Sequence, residues 1–185
     1  MIGKIFHWFY CLDLWKAAFV AAAWTVTFGL LARKLRQLRW WRWLVSSVLI
    51  SFVAVVIYAT IGNRSCSNDL AHAFTLFHSY QEAQVTGNIE IYRSNFMNVV
   101  LFYPAGLLAA SLLPCKWPGW CRCLLVVLVL TAMSAGIEFL QYRYALGRCE
   151  IDDVIHNSLG ALLGCMAALL VPRCLYYLGE KIKSK

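Results

Sequence analysis

Between positions 134 and 164 the chain reads SAGIEFLQYRYALGRCEIDDVIHNSLGALLG, which gathers Glu138, Gln141, Arg148, Glu150, Asp152, Asp153 and Asn157 at the junction of two strongly apolar runs. Ionisable groups are expensive in hydrocarbon, so a cluster in this position is either a wet boundary or a site. As a site it offers three kinds of chemistry. A carboxylate in apolar surroundings has a raised pKa and can serve as a general acid or base, which would fall to Glu138. Arginine and asparagine can orient phosphate or carboxylate groups. Carboxylate and amide oxygens are also hard ligands for a cation, but nothing in the spacing fixes a ligand count, so no metal is assigned and no cofactor is implied.

The elements that must position these residues follow from composition. The chain has 185 residues, of which 61% are hydrophobic and 14% charged. Soluble domains carry about a quarter charged residues, and one of this size would expose large apolar patches. The sequence therefore predicts an all-α membrane protein, a single bundle with no second folding unit. The net charge of +8 does not indicate nucleic acid. Its basic residues collect beside apolar runs instead of forming a groove-tracking stripe. The eight cysteines are scattered through spans and loops, and Cys121 and Cys123 lack the paired spacing and nearby histidines of a zinc site.

Five apolar runs are long enough to be considered spans: 17–32, 44–61, 96–113, 123–140 and 154–171. The dense cluster Arg33, Lys34, Arg36, Arg39 and Arg42, interleaved with Trp40, Trp41 and Trp43, follows the first run. That order argues against a signal peptide and assigns the loop to the cytoplasm. Alternation then puts the amino terminus outside and the tail with Lys181, Lys183 and Lys185 inside. Eleven of the 17 Lys and Arg fall on the cytoplasmic side in this scheme. The polar stretch 64–94 lies outside, and Leu70, Phe74 and Phe77 predict a short helix on the interface. His72 and His78 within it, six apart, do not share a helix face as a metal pair would. The implied organisation is 1–43 as a first span with its basic, aromatic loop, 44–172 as the main transmembrane domain, and 173–185 as a basic cytoplasmic tail.

With spans alternating, the polar ends of the last three fall on one side. Asn95 and Asn98 open the third, Glu138 and Gln141 close the fourth, and Asp152, Asp153 and Asn157 open the fifth, with Arg64 and Arg93 bordering spans on the same side. Asn95 with Asn98, Glu138 with Gln141, and Asp153 with Asn157 each share a helical face. Polar stripes of this kind point at protein or water. The expectation is an outward-facing polar pocket lined by Arg64, Arg93, Asn95, Asn98, Glu138, Gln141, Arg148, Asp152, Asp153 and Asn157. Asp152 and Asp153 also suit the start of a helix dipole, so only one of them need face the pocket. Gly160 and Gly164 form a GxxxG spacing, and Gly106 with Ala110 forms a second small-residue stripe, both of which favour close helix packing. Pro104 predicts a bend in mid-span.

The ordered set NVVLFYPAG (98–106), SAGIEFLQ (134–141), Gly147-Arg148, IDDVIHN (151–157) and GALLG (160–164) resembles the VanZ-like family. Gly62-Asn63-Arg64, Ser79-Tyr80 and the residues from Glu90 to Asn95 resemble that family's outer loop. The similarity runs from about Trp43 to Val171, with His156 as a departure and the segment before Leu44 uncovered. The resemblance implies an integral membrane protein of the bacterial cell envelope with a part in resistance to teicoplanin, a lipoglycopeptide that acts at the outer face of the membrane.

Three readings of the polar cluster remain open at the level of sequence. The first is a non-enzymatic binder of a lipid headgroup, a lipid-linked cell-wall precursor or the lipidated antibiotic. The second is a membrane-embedded enzyme acting on a lipid-linked substrate with Glu138 as acid or base. No nucleophile stands out for it, since a serine such as Ser134 in a transmembrane helix usually bonds to its own backbone. The third is an internal ion-pair network that locks the bundle. Beyond the lipid bilayer no partner is specified, the oligomeric state is not fixed, and pairing of Cys66 with Cys149 cannot be judged from sequence.

Overall fold

The computed structural model describes residues 14–35, 38–62, 72–73, 75–114, 116–146 and 148–183. The elements in chain order are α1 (Leu14–Leu35), α2 (Arg39–Ile57) continued by a π-helical turn (Tyr58–Gly62), β1 (His72–Ala73), α3 (His78–Thr86), α4 (Ile89–Leu112), α5 (Gly119–Arg143), β2 (Cys149–Glu150) and α6 (Ile151–Lys183). Four helices are long and apolar enough to cross a membrane: Arg39–Gly62, Ile89–Leu112, Gly119–Arg143 and Ile151–Pro172. The apolar stretch of α1, Phe19–Ala32, is shorter. The architecture is the all-α membrane bundle expected from the sequence. Helix is the only economical form for these runs, because in hydrocarbon each backbone N–H and C=O must find its partner within the chain.

The bundle is built around α4. In its most apolar window 44% of residues are buried, against 11% for the corresponding window of α2, so α4 occupies the centre and α2 the lipid-facing edge. Phe19, Trp43, Ile50, Leu128, Val129 and Phe139 are exposed, as a lipid-facing surface requires. The main core joins Val56 of α2, Phe102, Ala105 and Ala110 of α4, Val126, Leu130 and Ile137 of α5, and Ala161 and Cys165 of α6. A smaller cluster of Trp41, Val45 and Leu108 packs against Phe28 and Ala32 of α1.

The most extensive helix contact is between α4 and α6, and glycine makes it possible. A Cβ on Gly160 would collide with the carbonyl oxygen of Val99, one on Gly164 with that of Tyr103, and one on Gly106 with that of Ala161. The GxxxG pair of α6 and Gly106 of α4 therefore interlock backbone against backbone. Such approach brings Cα–H groups onto carbonyl oxygens and maximises dispersion contact where no hydrophobic effect drives association. Helix α4 remains continuous through Pro104.

Local chemistry fixes the helix ends. The Asn88 side chain accepts the Glu90 N–H at 3.0 Å and caps α4. Helix α5 closes with the paired bonds Leu146 N–H to Gln141 C=O at 2.9 Å and Ala145 N–H to Tyr142 C=O at 3.4 Å, with Ala145 in the left-handed region (φ 51) where glycine is usual. The two strands form a minimal parallel pairing, His72 with Cys149 and Ala73 with Glu150, that ties the segment before α3 to the start of α6.

The two ends of the bundle differ in charge. Glu82, Glu90, Glu138, Glu150, Asp152 and Asp153 lie where α2 and α5 finish and α4 and α6 begin, here called the acidic end, while Glu180 lies near the close of α6. Lys34, Arg39, Arg42, Lys116 and Arg122 lie at the opposite, basic end.

Candidate functional site

At the acidic end the first turns of α4 and α6 stand beside the strap that precedes α6, residues 148–150. The result is a cleft of about 330 Å³ lined by Asn88, Glu90, Ile91, Ser94 and Asn95 on one side and Arg148, Glu150 and Asp153 on the other. Acceptors and donors alternate around it. Arg148 is the organiser. Its Nη1 and Nη2 donate to Glu82 Oε1 and Oε2 at 3.1 and 2.6 Å, and its Nε lies 3.0 Å from Glu150 Oε1. This fork joins α3 to the strap with the geometry that suits guanidinium and carboxylate best. Bonding from Arg148 holds the Glu82 carboxyl below the usual carboxylate range.

The floor of the cleft is a hydrogen bond between its two helices, from Asn98 Nδ2 to Asp153 Oδ1 at 2.7 Å. Arg93 stands at the rim, 3.4 Å from Glu90 Oε1. Asn95 donates from Nδ2 to Ser79 Oγ at 2.9 Å, which draws α3 onto α4. Asp153 lines the cleft; Asp152, its neighbour, does not. Asp152 is 1% exposed and turns toward α3, where it accepts from the Phe77 N–H at 2.7 Å, the Ser79 N–H at 2.9 Å and the Ser79 hydroxyl at 2.6 Å. Phe77 sits in the left-handed region (φ 59) at the start of α3, and no side chain within α3 caps that end. The carboxylate of α6 thus supplies the cap from 73 to 75 residues away.

The remaining residues of the sequence-based set occupy other places. Glu138 is 7% exposed and accepts the Glu150 N–H at 3.1 Å. It borders a second hollow of about 340 Å³, otherwise largely apolar, formed with Ala135, Phe139, Tyr142, Cys149 and Val154. Burial pushes the Cys149 thiol up to about 11, with the Glu138 carboxylate adding to the effect. Gln141 donates to the Thr60 carbonyl at 3.1 Å, engaging the π-helical turn of α2. Asn157 donates to Ser134 Oγ at 2.8 Å, joining α5 and α6 in the interior. Arg64 and Cys66 lie outside the described residues, as do Leu70 and Phe74 of the expected interfacial helix; Cys149 is a free thiol. The short helix that is described, α3, packs on α4 through the buried Ser79 and Ala83.

Of the ten residues singled out by sequence, Asn95, Arg148 and Asp153 line the cleft, and Asn98 holds its floor. Sequence reasoning missed Ser94 as a wall residue, Glu82 as the partner of Arg148, and the Tyr80 hydroxyl 2.8 Å from His156 Nε2. Residue spacing carries no trace of these pairs, since they join segments more than sixty positions apart. Among the described residues no cluster of three or more His, Cys, Asp or Glu could hold a metal ion.

Residues 52–172 match the family model for VanZ/LLP1, about two-thirds of the chain. The chain belongs to the VanZ/LLP1 family. The matched region begins within α2 and ends at Pro172, so it takes in α3, α4, α5 and the apolar part of α6, and with them every described residue of the VanZ/LLP1 cleft. Neither the curated proteins nor the solved structures contain a significant match to the chain.

Proposed function

We propose that this VanZ-like protein is a non-enzymatic membrane binder whose cleft faces the outside of the cell and takes the polar head of a lipid-linked cell-envelope component or of a lipoglycopeptide such as teicoplanin, thereby contributing to resistance. The observation that carries this reading is the cleft of about 330 Å³ at the acidic end, where both walls are polar and the spans begin. Carboxylates at Glu90, Glu150 and Asp153 face donors at Asn88, Ser94, Asn95 and Arg148. Such a lining suits a head rich in hydroxyl and amine groups, as sugars and peptides are, while the flanking apolar helix surfaces suit its lipid tail. The outward orientation rests on the positive-inside rule, with Lys34, Arg39, Arg42 and Lys116 at the other end of the bundle. The functional unit is 44–172, with 1–43 and 173–185 flanking it.

The test is teicoplanin susceptibility of cells expressing the wild type or Ser94→Leu at matched membrane levels. Ser94 lines the cleft and makes no described side-chain hydrogen bond, so leucine fills the space without dismantling the strap. Susceptibility should return to that of cells without the protein. Unchanged resistance in Ser94→Leu would exclude the cleft. Turnover of an added lipid-linked precursor by purified protein, lost in Glu138→Gln, would move the assignment to the enzyme reading.

A further inference from the structure

A second cavity lies at the basic end, remote from the cleft. It measures about 190 Å³ and is bounded by Phe28 and Ala32 of α1, Trp41 of α2, Ser111 of α4, Arg122 of α5 and Leu169 of α6. Arg122 is 8% exposed, and its Nε is buried without a hydrogen-bond partner. Glu82, Glu90, Glu138, Glu150, Asp152 and Asp153 are at the far end of the bundle, and Glu180 lies near the close of α6, eleven residues past Leu169. An Nε–H group taken out of water without a hydrogen bond is unfavourable, because its desolvation is not offset. Arginine is also the side chain best shaped to fork onto a tetrahedral oxyanion.

We propose that this cavity is an anion site in which Arg122 binds a phosphate-type oxyanion, carried by a phospholipid headgroup or present as free phosphate. Three features support that chemistry. The guanidinium lies in the first turn of α5, at the depth of the interface and not at mid-span. Phe28, Leu107, Leu169 and Val171 supply apolar wall beside Thr25, Ser111 and Arg122, a mixed lining that fits a site where a headgroup meets the start of an acyl chain. Exposed Lys34, Arg39, Arg42 and Lys116 surround this end and raise the local concentration of anions. The Ser111 hydroxyl donates to the Leu108 carbonyl at 2.7 Å, which leaves its oxygen lone pairs available to a proton on the bound group.

The test uses the full-length protein, stripped of lipid in neutral detergent and then offered phosphatidylglycerol, diacylglycerol or inorganic phosphate, with bound ligand counted by native mass spectrometry and Tm recorded. Wild type should retain phosphatidylglycerol at least about tenfold better than diacylglycerol, which lacks the phosphate, the discrimination that one charge-assisted pair provides. Arg122→Gln should lose that preference. Ala32→Phe, which keeps the arginine and fills the cavity, should lose it as well, and carries the test if Arg122→Gln does not fold. A rise in Tm with inorganic phosphate equal to that with phosphatidylglycerol, absent in Arg122→Gln, would assign the site to the free ion. Equal retention of phosphatidylglycerol by wild type and both variants, or no preference over diacylglycerol, would overturn the proposal.

Discussion

At the residue scale the adjacent acids Asp152 and Asp153 have separate duties. Asp153 reaches Asn98 and lines the cleft, while Asp152 is buried under α3 and accepts three hydrogen bonds from Phe77 and Ser79. Asp152→Asn preserves shape but replaces one acceptor oxygen by a donor that faces another donor. Leaving buried N–H or O–H groups unsatisfied costs about 1–3 kcal/mol each, so Asp152→Asn should lower stability by about 2–3 kcal/mol. Thermal unfolding of the detergent-solubilised protein would show this as a lowered Tm; an unchanged Tm would mean that the cap contributes nothing. Sequence made both aspartates visible as charges at the start of a helix and identified Asp153 as sharing a face with Asn157. It could not reveal that Asp152 caps a different helix, because the bond to Ser79 spans 73 positions and no periodicity links them.

At the scale of elements the pair α4 and α6 is the part most legible in the chain. The spacing of Gly160 and Gly164 predicts close approach of a neighbouring backbone, and the structure identifies the neighbour as α4 at Val99 and Tyr103. Gly164→Val should therefore force the helices apart and lower stability by about 1–3 kcal/mol, the usual penalty of overpacking, with reduced yield of folded protein. Gly136 on α5 is the internal comparison, since a Cβ there would meet nothing within 4 Å. Gly136→Ala should leave Tm unchanged or slightly raised, as alanine is the better helix former. Equal behaviour of the two variants in one denaturation series would remove the glycine interlock as an explanation. The π-helical turn at Tyr58–Gly62 was not legible in advance. It arises where Thr60 bonds back to the Val56 carbonyl at 2.8 Å and its own carbonyl receives Gln141, a tertiary contact that local propensity does not encode.

For the whole molecule, the apolar runs made the fold class readable, because a ~30 Å hydrocarbon layer sets both helix length and composition. The gathering of most acidic residues at one end, and of Lys34, Arg39, Arg42, Lys116 and Arg122 at the other, was readable for the same reason. The cleft was less so. The sequence brought ten residues together by depth and shared helical face, and neither distinguishes a side chain facing open space from one bonded within the interior, as Gln141 and Asn157 are. The inferred orientation is tested by single cysteines introduced at Gln84 on α3 and at Arg42 on α2, both exposed. An impermeant maleimide added to intact cells should label Gln84→Cys above the parent chain and should not label Arg42→Cys. The reverse pattern would invert the bundle and place the cleft in the cytoplasm.

The glycine contact between Gly160 and Val99 adjoins the Asn98–Asp153 bond that forms the floor of the cleft, Val99 following Asn98 on α4 and Gly160 lying about two turns past Asp153 on α6. Both walls therefore spring from a common fulcrum at which the backbones touch and cannot slide. Their separation is a built-in gauge, not a jaw that closes on its contents. In the binding role proposed for the cleft, a head that matches the gap would enter a preorganised space and lose little to reordering of the protein. A larger one must bend the first turns of two helices against their own hydrogen bonds, so discrimination by girth is inherent in the way α4 and α6 cross.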